Sequence, residues 1–289
     1  SQYARQVAWA GKDYAKNPAG TEETVKSLRV VEVKAYYKSL LTKSRMVIVV
    51  VADLDRATLE KKIGTMLSAI PDGKPFQLKK QTYSPKQNTF VSEKKDYATN
   101  YIQGVTGAPL PGSTEYNAFM IAMRIFRDRN FLEVRTNNGL SYAPRTLFDD
   151  GVSPTANIMV STTNPNKYVG VVQSLISKIK KEGFTPDEIK NMKSTYITRF
   201  YYNQETNNAQ AGSLATYEVL HNDWHKALNM NEDLKKVNVA DVNNVFNKYV
   251  TNLTWVYQGN PEQADVKLFT GAMTQQKLPP SKVKSKVNN

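Results

Sequence analysis

The sequence predicts an α+β fold built from a repeated module. Three observations predict it. Apolar residues recur at helical spacing over long stretches, short β-branched runs lie between those stretches, and one helix–turn–strand pattern occurs twice along the 289 residues.

Residues 30–41 are the first clear helix, with Val33, Tyr36, Tyr37 and Leu40 on one stripe. Residues 46–52 are wholly apolar and mostly β-branched, which predicts a strand buried on both faces. Asp53-Leu54-Asp55 turns into a second helix whose stripe is Leu59, Ile63, Met66 and Leu67. Residues 70–88 hold Pro71, Gly73, Pro75 and Pro85 and show little periodicity, so they read as a linker. The domain boundary falls in this linker. Residues 1–73 read as the C-terminal part of a first module, and residues 74–289 as a complete second one.

Beyond the linker, residues 101–107 read as a strand. Ser113 can cap a helix that carries Tyr116, Phe119, Met120, Met123 and Phe126 on one face. A short helix over 131–138 stops at Gly139, because glycine accepts the left-handed conformation of a helix end. Residues 141–148 and 155–161 are the next strands. Asn164-Pro165 opens a helix with proline at its first position, Val169, Val172, Leu175, Ile176 and Ile179 line its core face, and Gly183 ends it. Thr185-Pro186-Asp187-Glu188 is a capping box, and the long helix it opens is expected to break over 207–212. Asn238 caps a helix over 239–250, and residues 253–258 are a strand. Here the repeat closes. Residues 25–33 align with 234–242, Tyr37 with Phe246 and Leu40 with Tyr249, and the run from Met46 matches the run from Leu253 after a two-residue shift. Both copies read as helix, short turn and buried strand.

Composition narrows the function. The chain has no cysteine, which excludes disulfides, thiol catalysis and thiolate metal sites and fits any compartment. Two histidines leave little material for a metal site. Hydrophobic residues at 40% and charged residues at 22% are those of an ordinary globular protein. No apolar run approaches the roughly 20 residues of a membrane span, and Ser1-Gln2-Tyr3-Ala4-Arg5 lacks the apolar core of a signal peptide. The net charge of +13 comes from lysines spread along the chain, with no dense basic block interleaved with aromatics. That pattern predicts solvated helix faces and not a nucleic-acid surface. Residues 275–289, with Lys277, Lys282, Lys284 and Lys286, read as a disordered basic tail.

The most informative stretch runs from Phe131 to Tyr142. Arg135 falls on the last helical turn before Gly139, and Tyr142 on the strand that follows, so both can point across one corner. Arginine offers a planar fork for carbonyl or carboxylate oxygens, and tyrosine one hydroxyl. A surface arginine beside a half-buried core tyrosine is the plain structural alternative. Elsewhere, Gly104-Val105-Thr106-Gly107 lacks the residues of a phosphate loop, and Asn252-Leu253-Thr254, a possible glycosylation acceptor, opens a strand expected to be buried.

The order of these segments resembles the C-terminal, non-catalytic part of the insulinase/pitrilysin family of zinc metallopeptidases. In that family a helix ends in an arginine, a Gly-Leu pair follows, and a tyrosine comes seven residues after the arginine; Arg135, Gly139, Leu140 and Tyr142 match. Gly20-Thr21-Glu22-Glu23, the run from Met46 to Asp53 (with Ala52 where the family has glycine), Thr185 to Ile189 and Val237 to Tyr249 match in order. The resemblance implies a mixed, mainly antiparallel sheet with helices packed on one face. It implies that Arg135 and Tyr142 grip the substrate backbone and support the oxyanion. The zinc belongs to a catalytic partner module, in the same polypeptide or on another subunit, and none is expected in this chain. The family's inverted His-x-x-Glu-His helix is absent. The nearest match, His221-Asn222-Asp223-Trp224-His225, has Trp224 in place of the glutamate and no third ligand. It reads as a polar helix turn with Trp224 in the core. The function so implied is the substrate-binding half of a zinc metalloendopeptidase, inactive alone; the alternative is a degenerate homologue that only binds or scaffolds. Expected partners are the catalytic module and a peptide, with no nucleic acid and no membrane. The compartment, the bacterial periplasm included, is left open.

Overall fold

The computed structural model describes residues 2–271, so the basic tail read over 275–289 lies outside the described residues. The chain begins with the short helices α1 (Gln2–Ala8) and α2 (Glu22–Ser27), then α3 (Val30–Leu40) and α4 (Arg56–Leu67). Strands β1 (Thr89–Lys94) and β2 (Asn100–Gly107) lead to the long helix α5 (Tyr116–Phe131). Strands β3 (Arg145–Asp149) and β4 (Thr155–Thr162) precede α6 (Pro165–Glu182) and α7 (Pro186–Tyr202). Helices α8 (Asn207–Thr216), α9 (His225–Leu228), α10 (Met230–Lys236) and α11 (Val239–Tyr249), strand β5 (Thr254–Gly259) and α12 (Val266–Thr270) complete it.

The five strands form one sheet in the order β1-β5-β2-β4-β3. Only β1 and β5 run parallel; the other pairs are antiparallel. Side chains alternate across the pleat. Ile102, Ala156, Ile158, Val160, Trp255 and Tyr257 therefore face the large helices, where they join Phe119 and Phe126 of α5, Val172 and Ile176 of α6, and Phe246 of α11 in one core. The rings interlock edge to face, Phe246 lying 5.3 Å from Phe126 and 5.2 Å from Phe184 between ring centres. Gly104 of β2 is the size the core demands: a methyl group there would sit 2.8 Å from the Trp255 ring. On the opposite face α1 lies across β2 and β5, with Ala4 against Val105 and Val256.

Caps were the most legible feature. Thr185 and Glu188 close the expected box at α7, and Asn238 and Asp241 close one at α11. Glu188 also receives a two-pronged ion pair from Arg129, at 2.6 and 2.7 Å, which ties α5 to the start of α7. Gly183 ends α6 at φ +79° as expected.

Other expectations need correction. Residues 46–52 form no strand among the described residues, and Val47, Ile48 and Val50 are exposed. A wholly apolar run becomes a strand only where neighbours pair its backbone and cover its sides, and no strand among the described residues pairs with it. The stripe of α4 forms but buries nothing. Ser113 does not cap α5: the helix starts at Tyr116 behind Glu115, with no side-chain cap. The helix over 131–138 is not separate but a wide π-type continuation of α5 over Leu132–Asn137. The strand expected from Ser141 begins only at Arg145. The break after α7 comes earlier than 207–212, because Thr206 accepts from the Ala209 amide and starts α8 there. Strand β1 was missed; it follows directly on the proline-rich segment and finds its partner only in β5, far along the chain.

Candidate functional site

The corner between α5 and β3 is built from the inside outward. Val134 and Leu140 are buried and anchor the turn, and the Leu140 amide donates to the Val134 carbonyl at 2.9 Å. Gly139 sits between them at φ +60°, where its amide donates to the Arg135 carbonyl at 3.1 Å. A side chain would meet nothing within 4 Å there, so the backbone angle alone calls for glycine. With Val134 and Leu140 turned in, Arg135 and Tyr142 project outward.

The structure brings these two side chains together. The Arg135 guanidinium lies 4.1 Å from the centre of the Tyr142 ring and 5.2 Å from that of Phe131. Tyr142 is 80% exposed and sits in the loop before β3, not on the strand where the sequence placed it. A cation over a ring at an exposed site contributes about 0.5–1 kcal/mol, enough to bias both side chains toward one arrangement. Among the described residues neither the guanidinium nor the phenol hydroxyl has a hydrogen-bond partner. Five N–H donors and one hydroxyl are thus presented together at one corner.

Beside the corner, the uncovered face of the sheet forms a groove of about 720 Å³. Register sets its floor. Val256, Gln103, Met159 and Arg145 lie in one row across β5, β2, β4 and β3, and Gln258, Tyr101 and Ser161 in the next. Tyr97, from the loop before β2, meets Tyr101 edge to face at 5.5 Å. Sequence reasoning missed this groove, because its residues come from four strands. The signal available was the alternation in β2, where Tyr101 and Gln103 flank the core residue Ile102.

His221 and His225 do not share a helix face. His221 ends a π-type turn, Asn222 adopts the left-handed conformation at φ 58°, and His225 starts α9. His221 stacks on Tyr217 at 4.4 Å and meets the Tyr116 ring edge-on at 4.8 Å. Burial, with Lys226 nearby, pushes its pKa down to about 4. Trp224 is not in the core: it is 41% exposed and stacks on His225 at 3.7 Å. Among the described residues no three His, Asp or Glu side chains gather as a metal site would require.

This α+β sheet carries the Arg–Tyr corner at its edge, and among the described residues it carries no cluster of metal ligands. The family model of the peptidase M16 inactive domain matches residues 27–196, more than half of the sequence, and the chain belongs to that family. It accords with the resemblance to the C-terminal part of insulinase-type peptidases. Among solved structures, a peptidase M16 inactive domain from Pseudomonas fluorescens matches with a TM-score of 0.78 at 17% identity, covering 89% of this chain and 64% of that one. A protease from Helicobacter pylori matches at 0.72 and 14% identity, covering 88% and 64%. The first half of the periplasmic protease PqqL from Escherichia coli matches at 0.67 and 17% identity, covering 97% and 67%. Identities this low establish a shared fold. The chain spans less than two thirds of the first two of these structures. No curated protein matches it. No helix among the described residues is long and apolar enough to cross a membrane.

Proposed function

We propose that this chain is the non-catalytic, substrate-holding half of a zinc metalloendopeptidase, which grips extended peptide and completes the active site of a catalytic module that brings the metal. The observation that carries this reading is the corner where Arg135 stacks on Tyr142 with the guanidinium donors and the hydroxyl uncommitted. A scaffold has no need to hold an unpaired fork and a phenol in register at the mouth of a groove. The guanidinium can hold a peptide carbonyl, and the hydroxyl can donate to an oxygen on which charge develops.

On this reading residues 1–73 complete another module and residues 74–289 form the second. Hydrogen bonding along the linker supports the division. The Lys43 and Ser44 amides donate to the Pro71 and Asp72 carbonyls at 2.9 Å each, whereas Lys80 reaches the Leu220 carbonyl at 2.6 Å. Residues 71–79 thus bond to Lys43, Ser44 and Tyr14 of the first part and Lys80 to the second, while α1 itself lies on the second module's sheet.

The test is turnover by this chain together with its zinc-bearing partner module. Tyr142→Phe keeps the ring and its stack and removes only the hydroxyl. It is expected to lower kcat by roughly 10²–10³ with little change in KM, and Arg135→Ala to raise KM as well. Turnover of both variants at the wild-type rate would instead support a binding or scaffold subunit.

A further inference from the structure

We infer that the groove beside the Arg–Tyr corner is a side-chain subsite that selects an acidic residue two positions from an aromatic one in an extended peptide. The inference rests on the substrate-holding role proposed above and deepens it. Ala143 and Arg145 line the groove one and three residues after Tyr142, so a chain held at the corner runs onto it without a gap. Alternate residues of an extended peptide point to the same side about 6.6 Å apart, close to the spacing of the two rows of side chains below it, which lie two residues apart along β2 and β4.

The chemistry of the walls sets the preference. Tyr97 and Tyr101 are about half exposed, at 48% and 51%, although they pack against each other. With Met159 they form an apolar floor suited to an aromatic ring, which gains from edge-to-face and sulfur contacts. Arg145 stands at the β3 end of its row, and among the described residues its side chain has no ion pair or hydrogen bond. The other charged group on the wall, Asp96, belongs to the β1–β2 loop. Arg145 lies two strands beyond β2, about 10 Å away across the sheet. Lys95 and Glu93 neutralise each other at 2.9 Å. The cation at the outer edge is therefore open to a carboxylate, and the chain's net charge of +13 draws acidic peptides toward it.

The adjoining part of the same face supports the inference by contrast. There α1 already covers Val105 and Val256 with Ala4, and Trp9 is buried beside Tyr14 and Tyr83. The sheet face thus has an occupied half and an open half, and the open half carries the aromatic pair and the unpaired arginine.

The test is fluorescence anisotropy of this chain with labelled alanine-based decapeptides. One carries a central Phe-Ala-Glu segment, and the others replace Phe by Ala or Glu by Gln or Lys. Loss of Phe is expected to weaken binding roughly tenfold, and Glu→Gln roughly three- to fivefold. Glu→Lys is expected to weaken it further, and the charge effect to shrink in high salt. Arg145→Glu should reverse the preference so that the Lys peptide binds better, and Tyr101→Ala should remove the preference for Phe. Both side chains are exposed, so unchanged melting temperatures will show that the fold is intact. Equal binding of all four peptides, no binding of any, or an unchanged preference in Arg145→Glu overturns the subsite. A flat panel alongside a Tyr142→Phe turnover defect removes the subsite and leaves the substrate-holding role. A charge-reversed panel alongside wild-type turnover of Tyr142→Phe does the opposite.

Discussion

Residues 25–51 and 234–259 carry the same local pattern and meet different surroundings. In the first copy α2 ends at Ser27, and α3 begins behind Arg29, whose amide donates to Glu32 at 3.0 Å. In the second α10 ends at Lys236, and α11 begins behind Asn238, whose amide donates to Asp241 at 2.9 Å. Each closing helix has 11 residues. Yet α3 buries no residue, with Tyr37 62% exposed, whereas its counterpart Phe246 in α11 is wholly buried. The run from Met46 stays irregular, and the run from Leu253 becomes β5 between β1 and β2. The difference teaches that helices and caps are local consequences of sequence, while a buried strand is a property of its neighbours.

Hydrogen exchange probes the largest difference. Amides of 254–259 should exchange more slowly than those of 46–51 by roughly a thousandfold or more, because opening β5 requires breaking the whole unit. Comparable protection of both runs would break the comparison. Next in size, Phe246→Ala should cost about 3–5 kcal/mol of unfolding free energy, while Tyr37→Ala in this chain leaves the melting temperature unchanged. A drop with Tyr37→Ala would mean that the first copy is covered after all.

A smaller effect separates capping from packing. Asp241→Ala should destabilise the chain by about 1 kcal/mol, measured by urea unfolding. Glu32→Ala should reduce only local helix content, because its helix contributes little to the cooperative transition. The smallest effect is that of pH. His221 is held neutral in the fold, with its pKa near 4 against 6.5 when unfolded. Between those values the unfolded chain binds the extra proton, so stability falls as pH drops from about 6.5 toward 4. His221→Phe should flatten that part of the melting profile, while exchange in the first copy stays unchanged. A profile of unaltered slope would show that other groups carry the pH dependence.

The Arg135–Tyr142 site was legible to the extent that spacing reveals it. A helix end, a glycine and seven residues of separation put both side chains at one corner. The stack between them was not legible. It depends on the wide turn over Leu132–Asn137 and on Tyr142 lying in a loop, and both follow from Val134 and Leu140 being drawn into the core. Nor was the fate of Trp224: the left-handed residue Asn222 turns it outward onto His225, where an unbroken helix would have carried it in.

By itself the sequence determined the helices with caps at Thr185 and Asn238, the stop at Gly183 and the repeat that links the two copies. These depend on contacts within a few residues, and such contacts form wherever the chain is. Tertiary structure alone decided which apolar runs became strands, that β1 lies parallel to β5, and that Tyr97, Tyr101, Met159 and Arg145 share one groove. Each of these joins residues distant in sequence, and a strand's backbone and its two faces are satisfied only by partners that the chain must bring from elsewhere.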